Sequence, residues 1–421
     1  MTMTHQPADD IATLHERMIE RLRAIQAIRT PQVERAMRTV PRQAFAPEHE
    51  LPDVFDATGV LVTKRDGQGK AVSSVSAPWV QALMLERAGL SEGDRVLEIG
   101  SGGYNAALLA EMVGPSGHVV SVDIDPEVIS RAHECLAAAG YRDRVELVTA
   151  DADQVLDREG WDAILVTVGI WDVSPAWVEQ LVEGGRLVMP LRVHGFSRIF
   201  ACTKAGSMLV GAYGEMAGFV SMQGAGAHTR SRYEIAPGVE WASDHPVDHD
   251  ALATALETPP RSARTGVCMR SKEPFDTLQW WLITNVDSPG ILTGSEETLG
   301  TRPMMGGKGT IAAWDGHELV YLGLEEVRVQ GERRWEWVVC SRSPSGADRL
   351  AQEVVELIHT WDGQHRGGPG PALDLYPLDQ APAGALRKRH SALVATWDTP
   401  RAVPVVRFAD DPDAAEAAKH R

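Results

Sequence analysis

The chain has 421 residues and sets 41 Lys and Arg against 58 Asp and Glu, a formal net charge of −17. That length predicts two or three domains, and the acidic balance argues against partners that need a basic face, namely nucleic acid and anionic membranes. The hydrophobic fraction of 43% supplies ample core, no apolar run approaches the ~20 residues that span a bilayer, no signal-peptide pattern opens the chain, and the four cysteines show no CxxC spacing; a reduced, cytoplasmic setting without disulfide framework or zinc site is expected.

In chain order, Ile11, Leu14, Met18, Leu22 and Ile25 recur at steps of three or four and predict an amphipathic helix. Thr30-Pro31 opens a second helix, with proline at its first position. From residue 94 strands and helices alternate. Arg95–Ile99, Val119–Asp123, Val145–Val148, Asp162–Val166 and Arg186–Met189 read as strands. Helices are expected from Ala106, over Pro126–Ala139 and over Val173–Val182. This alternation implies parallel strands covered on both faces, an α/β doubly wound sheet. Arg198–Thr203 and Met208–Tyr213 read as a closing hairpin. Beyond about residue 226 the composition shifts, with eight of the twelve tryptophans at 241 or later. Leu278–Val286, Thr310–Trp314, Leu319–Leu324, Val327–Val329 and Arg334–Cys340 read as strands, and Ala347–Trp361 as a helix, which predicts a C-terminal α+β domain. The acidic end Asp410–Arg421 reads as frayed. The expected divisions are a helical segment over 1–50, the sheet domain over 51–226 and the α+β domain over 227–421.

Val96–Tyr104 places Gly100, Gly102 and Gly103 where a strand turns into a helix, so that backbone can approach a ligand. The run lacks the G-x-G-x-x-G spacing of a pyrophosphate-binding turn, and Glu98 has the wrong charge to sit beside phosphate. A carboxylate there suits a cation such as S-adenosylmethionine, which carries a sulfonium and an ammonium. Asp123, at the end of the next strand, can accept bonds from two ribose hydroxyls, and Asp151 follows the strand after that. The glycines alone are compatible with a tight turn that binds nothing; acids at successive strand ends argue for a ligand.

Four motifs then give a family resemblance over about residues 30–215. Val33–Pro47 is similar to a helix leading into R-x-x-F-x-P, and Ser74–Pro78 to T-I-S-x-P. Val96–Tyr104 resembles V-L-E-I-G-x-G-x-G-Y, and Gly184–Pro190 resembles G-G-R-L-V-x-P. In that order they look like protein-L-isoaspartate O-methyltransferase. The resemblance implies a Rossmann-like methyltransferase sheet, S-adenosyl-L-methionine as cofactor, S-adenosyl-L-homocysteine as product, and no metal. It implies Ser76 as the catalytic residue, beside the methyl donor and the accepting carboxylate. It implies cofactor contacts from Ser74, Val75, Ser76, Gln81, Glu98, Gly100, Ser101, Gly102, Gly103, Asp123, Ile124, Asp151 and Ala152. Glu98 and the glycines would line the methionine end, Asp123 the ribose, and Asp151 with Ala152 the adenine.

Two departures accompany the resemblance. The glycine loop is one residue shorter than the family's, and the chain runs on for about 200 residues past the final sheet. Long forms look like the methyltransferases of ribosomally made modified peptides, most of all the lanthipeptide type. There the target is an ordinary aspartate, whose methyl ester closes to a succinimide that persists or opens to isoaspartate. The implied partner is a modified, macrocyclic precursor peptide recognised by residues 227–421. Repair of isoaspartate in damaged proteins and a non-catalytic precursor-binding scaffold are the alternatives.

The chemistry asks little of side chains. A carboxylate is already an anion near neutral pH, so no general base is needed. Ser76 is expected either to donate to the acceptor or to cap the helix starting at Pro78. Lys64–Lys70 reads as a flap or a solvated loop. His194, His228, His245 and His249 are spaced unlike a common metal site. Arg192, Arg198, Arg230 and Arg232 read as surface charge or as a steering patch for an acidic peptide. Trp280-Trp281 and Trp335-x-Trp337 read as core packing or as an aromatic peptide-binding wall.

Overall fold

The computed structural model describes residues 10–153, 160–212, 214–228, 231–271, 273–305, 309–368, 370–377, 393–395 and 402–407. Arg230 and the acidic end Asp410–Arg421 lie outside the described residues. The chain divides into two compact units, one mainly before and one mainly after residue 228.

The first unit opens with α1 (Ile11–Ala24), α2 (Pro31–Thr39) and α3 (Leu51–Val54). Asp10 caps α1 by accepting from Thr13 N, and Thr30 caps α2 with Pro31 at the first helical position. A hairpin of β1 (Leu61–Arg65) and β2 (Ala71–Val75) follows, then α4 (Pro78–Ala88), β3 (Arg95–Ile99), α5 (Tyr104–Val113), β4 (His118–Asp123) and α6 (Pro126–Ala139). The unit continues through β5 (Val145–Thr149), β6 (Trp161–Val166), α7 (Pro175–Gln180), β7 (Leu181–Val193), β8 (Phe196–Ala205) and β9 (Met208–Ala212).

Its sheet has the order β9-β8-β7-β6-β3-β4-β5. β3 pairs in parallel with both β4 and β6, β4 with β5, and β6 with β7. From β3 the chain therefore builds outward to one side through β4 and β5, then returns to build the other side through β6 and β7. Such a reversal opens a crevice at the carboxyl ends of the central strands, where doubly wound folds take ligands. β3 is buried at every residue after Arg95, and α5 is buried all round except Glu111, as expected of elements enclosed on both sides.

The second unit contains β10 (Ser231–Ala236), β11 (Val239–Ser243), α8 (His249–Glu257), β12 (Arg261–Met269), α9 (Asp276–Asn285) and β13 (Pro289–Thr293). After them come α10 (Glu296–Leu299), β14 (Gly309–Trp314), β15 (Leu319–Val329), β16 (Glu332–Arg342) and α11 (Arg349–Gln364). Its antiparallel sheet runs β10-β11-β13-β14-β15-β16-β12. Trp241, Trp314, Tyr321, Leu252 and Cys340 pack in one core.

Three expectations change. Leu278–Val286 is not a strand but most of α9, in which every residue from Thr277 to Asn285 is buried. A helix enclosed on all sides shows no amphipathic stripe, so its Trp and Ile content mimicked a strand. The helix expected over Val173–Val182 shrinks to α7, because Leu181 already belongs to β7. Trp280, Trp281 and Trp337 are at most 1% exposed and cannot form a peptide-binding wall. Trp281 Nε1 donates to Leu357 O at 2.9 Å, and Trp335 is flanked by the guanidinium groups of Arg302 and Arg333.

Among the described residues no helix is long and apolar enough to cross a membrane, and no group of three or more His, Cys, Asp or Glu could hold a metal ion. Arg198 is 1% exposed, with Nη1 donating to Gly214 O at 3.1 Å, so it is not surface charge.

Candidate active site

A cavity opens at the carboxyl ends of β3, β4 and β6. It is lined by Val72, Ser73, Ser74, Val75, Ser76, Gln81, Met84, Glu98, Gly100, Ser101, Gly102, Tyr104, Asn105, Asp123, Thr167, Val168 and Val220. Of the residues expected from sequence, Ser74, Val75, Ser76, Gln81, Glu98, Gly100, Ser101, Gly102 and Asp123 meet here; Gly103, Ile124, Asp151 and Ala152 lie outside its lining. Of the stretch Lys64–Lys70, Lys64 and Arg65 end β1 and the rest is the turn of the β1–β2 hairpin, closed by Asp66 N donating to Lys70 O at 2.9 Å. Lys64 ties it to the start of α6, with Nζ 2.5 Å from Asp125 and 2.7 Å from Glu127. The second strand of that hairpin delivers Val72–Val75 to the cavity wall.

Ser76 precedes α4. The capping position belongs to Ala77, with no side-chain cap bond, because Pro78 already occupies the first helical position. The capping role is thereby overturned: Ser76 stands one residue too early. Its hydroxyl makes no hydrogen bond among the described residues, while its carbonyl accepts from Arg42 Nη2 at 2.8 Å.

Glu98 is fully buried, accepting from Asn105 Nδ2 at 2.9 Å and from Ser121 Oγ. Burial pushes its carboxyl up to about 7, against the pull of both hydrogen bonds. Asp123 is fixed at the end of β4 by Ser101 N and Asp125 N, each at 2.9 Å, one on each oxygen. Burial raises its pKa as well. Each of its oxygens keeps a lone pair for a further donor.

Gly100 has φ of +94°, and a Cβ there would stand 2.6 Å from Thr167 Oγ1 and 2.8 Å from Val168 Cγ1. The sharp exit from β3 therefore admits only glycine. Thr167 Oγ1 donates to Gly100 O at 2.7 Å and stiffens the turn.

Asp151 and Ile124 face a different partner. Asp151 Oδ2 accepts from Ala225 N at 2.8 Å. A Cβ on Gly224, at φ +74°, would come within 2.4 Å of Asp151 Oδ2 and 2.7 Å of Ile124 Cδ1. The short turn at Gly224–Gly226 thus lies directly on this acid.

Arg42, Tyr104, Asn105 and Thr167 had no role assigned from sequence. Arg42 was visible only as one member of R-x-x-F-x-P, and a lone arginine reads as surface; nothing local announced that it would be 0% exposed. Ser101 Oγ is buried with no hydrogen-bond partner, and the buried Tyr104 phenol lies beside the Arg42 guanidinium. An orphaned hydroxyl is rare in native interiors, and this one lines a cavity that also holds two carboxylates. The donor and acceptor set fits a ligand that is polar, hydroxylated and cationic.

Comparison with known proteins identifies the family. The family model described as protein-L-isoaspartate(D-aspartate) O-methyltransferase matches residues 13–226. Protein-L-isoaspartate O-methyltransferase 2 of Archaeoglobus fulgidus is 39% identical over 178 residues, covering 42% of this chain and 77% of that one. The protein-L-isoaspartate O-methyltransferase of Korarchaeum cryptofilum is 35% identical over 221 residues, covering 50% of this chain and 97% of its own. Among solved structures, a protein-L-isoaspartate O-methyltransferase aligns over 86% of this chain and 96% of its own, at 22% identity and a TM-score of 0.48. A Plasmodium falciparum protein described as a probable member of the same enzyme class, in complex with S-adenosyl-L-homocysteine, aligns over 50% of this chain and 98% of its own, at 21% identity and a TM-score of 0.44. With the family model covering half of its residues and relatives matched over most of their own length, the chain belongs to the protein-L-isoaspartate(D-aspartate) O-methyltransferase family.

Proposed function

We propose that the chain methylates the free carboxylate of an isoaspartyl residue in a protein or peptide, with S-adenosyl-L-methionine as methyl donor. The observation that carries this reading is the cavity at the reversal of strand order, where buried Glu98, Asp123 at a strand end, the orphaned Ser101 hydroxyl and the free Ser76 hydroxyl converge. When bound, the cofactor supplies an electrophilic methyl on a positively charged sulfur. Glu98 and Asn105 would face its methionine end, Ser101 and Gly102 its backbone-lined flank, and Asp123 its ribose.

The chain's own residues then have three tasks. Ser76 Oγ donates to the acceptor carboxylate and orients one oxygen. The β1–β2 hairpin and α4 wall the site and exclude water, which strengthens each polar contact inside. Rigid backbone around Gly100 and Thr167 holds the geometry, and alignment of this kind is worth several powers of ten in rate. Among the described residues the lining contains no His, Cys or Lys. That suits an acceptor already ionised at neutral pH.

A second reading, an ordinary aspartate of a ribosomally made modified peptide, is favoured by one observation. The family match ends at residue 226, and a second folded unit follows it. In this reading that unit recognises the peptide, and the ester closes to succinimide by attack of the next backbone nitrogen with loss of methanol.

Mass spectrometry of two incubations tests both. A generic isoaspartyl peptide should gain one methyl. If it stays unmodified while a macrocyclic precursor with ordinary aspartate gains a methyl and then loses methanol, the second reading replaces the first.

A further inference from the structure

Lys64 stands where the register of the β1–β2 hairpin slips. Val62 pairs with Ser74, Lys64 with Ser73 and Arg65 with Ala71. Thr63 is therefore extra on β1, and Val72 is extra on β2. Irregularities of this kind re-aim side chains. Val72 lines the cavity, and Lys64 leaves the hairpin for the start of α6. From Arg65 to Lys70 every residue is exposed. The hydrogen bonds there close on the turn itself: Arg65 Nη1 donates to Gly69 O, and Asp66 Oδ1 accepts from Gln68 N and Lys70 N, each at 2.9 Å. Among the described residues Lys64 is thus the outermost polar tether of the hairpin.

At α6 its ammonium meets a divided carboxylate. Asp125 Oδ1 caps the helix by accepting from Glu127 N at 2.9 Å, which leaves Oδ2 for Lys64 Nζ at 2.5 Å. Glu127 adds a second carboxylate at 2.7 Å. Asp125 N in turn donates to Asp123 Oδ1 at 2.9 Å. A continuous line of bonds therefore runs from the hairpin through Asp125 to Asp123. Asp123, Asp125 and Glu127 place three acids within five residues, and the charge of Asp125 adds to burial in raising the Asp123 carboxyl. Lys64 answers two of these acids directly. An exposed ion pair by itself contributes little to stability; a pair on this line can instead fix the position of a third group.

We propose that Lys64 is a positioning residue for the ribose seat: by pinning Asp125 and Glu127 it holds Asp123 where its carboxylate meets the ribose hydroxyls, and it couples that contact to the hairpin that walls the cavity. The inference rests on the function proposed above, because it takes the cofactor's ribose as the ligand of Asp123.

Lys64→Met, which keeps the length of the side chain and removes its charge, is the test. Calorimetric titration uses two ligands, S-adenosylhomocysteine and its analogue lacking both ribose hydroxyls. The variant should bind S-adenosylhomocysteine at least fivefold more weakly than the parent does, and the dideoxy analogue within twofold of the parent. A wall that merely loosens would weaken both ligands alike, and that result overturns the coupling to Asp123. Lys64→Arg, which keeps the charge, should return S-adenosylhomocysteine affinity to within twofold of the parent. Glu127→Gln, the second variant should Lys64→Met misfold, leaves Asp125 and its cap in place; it should weaken S-adenosylhomocysteine at least threefold and again spare the dideoxy analogue. A folded Lys64→Met or Glu127→Gln protein that binds S-adenosylhomocysteine within twofold of the parent overturns the proposal. A parent chain that binds no S-adenosylhomocysteine and methylates no carboxylate overturns the functional reading beneath it instead.

Discussion

The proposed role of Ser76 leaves its hydroxyl without any structural duty among the described residues. It neither caps α4 nor bonds elsewhere among the described residues, and Arg42 anchors its carbonyl. Replacement by alanine should leave the fold and S-adenosylhomocysteine affinity close to the parent's and slow methylation by well over tenfold, an orienting contribution of roughly 1.4 kcal/mol or more at the barrier. Single-turnover rates beside a binding titration check it. Glu98 yields a prediction with a sign. Its carboxyl is raised from 4.5 to about 7, so between those values the folded chain holds a proton that the unfolded chain has lost. Its contribution to stability is therefore present at acid pH and falls as pH rises toward 7. Cation binding runs the other way: a ligand with positive sulfur is favoured once Glu98 ionises. S-adenosylmethionine affinity should climb between pH 6 and 8 more steeply than that of S-adenosylhomocysteine, whose sulfur is neutral. Parallel slopes would remove Glu98 from sulfonium recognition.

At the scale of elements, β3 and the turn that leaves it show what sequence could and could not reveal. Glu98 and Asp123 were legible because parallel strands ending in turns must present their last residues at one edge of the sheet. The start of α2 was legible from Thr30 and Pro31, and α1 from its apolar spacing, though its Asp10 cap was not. Arg42 and α9 were not, because complete burial erases the periodic signal on which such reading depends. The turn at Gly100 is also testable against its own control. Gly140 has φ of +80° with open space around it, whereas Gly100 adds close contacts to its φ of +94°. Gly140→Ala should cost about 1–2 kcal/mol, the backbone penalty alone. Gly100→Ala should cost more than that and weaken S-adenosylhomocysteine binding, because the clash falls on Thr167 and Val168. Urea midpoints for the pair separate backbone strain from crowding; equal costs would show that the turn relaxes freely.

For the whole molecule, charge decides how an acidic acceptor arrives. A formal charge of −17 opposes the approach of a peptide carboxylate, and exposed charges are screened within a Debye length of about 10 Å at 0.1 M salt. KM for an acidic isoaspartyl peptide should therefore fall as sodium chloride rises from about 10 to about 150 mM, with kcat little changed because the interior of the site is screened far less. A KM that rises with salt would reveal a basic steering face and displace this account. The second unit, with its own seven-stranded sheet and core, was expected as an α+β domain from its turn signals and tryptophans. Its individual strands before residue 309 were not legible, since β10, β11 and β13 have five or six residues each and α8 and α9 interrupt the run.

The turn at Gly224–Gly226 acts as an internal competitor. Asp151 Oδ2 accepts from Ala225 N, so if the cofactor's adenine lies beside Asp151 as the resemblance implies, a nucleoside entering there contends with an internal ligand whose effective concentration never falls. The measured dissociation constant is then the intrinsic one divided by the fraction of molecules in which the turn has released the acid. Gly224→Ala, whose Cβ would stand 2.4 Å from Asp151 Oδ2 at a φ of +74°, disfavours the docked turn. It should tighten adenosine-containing ligands by a few-fold, chiefly through faster association in stopped-flow, whereas unchanged or slower association would mean that the turn is part of the bound state and no rival to it.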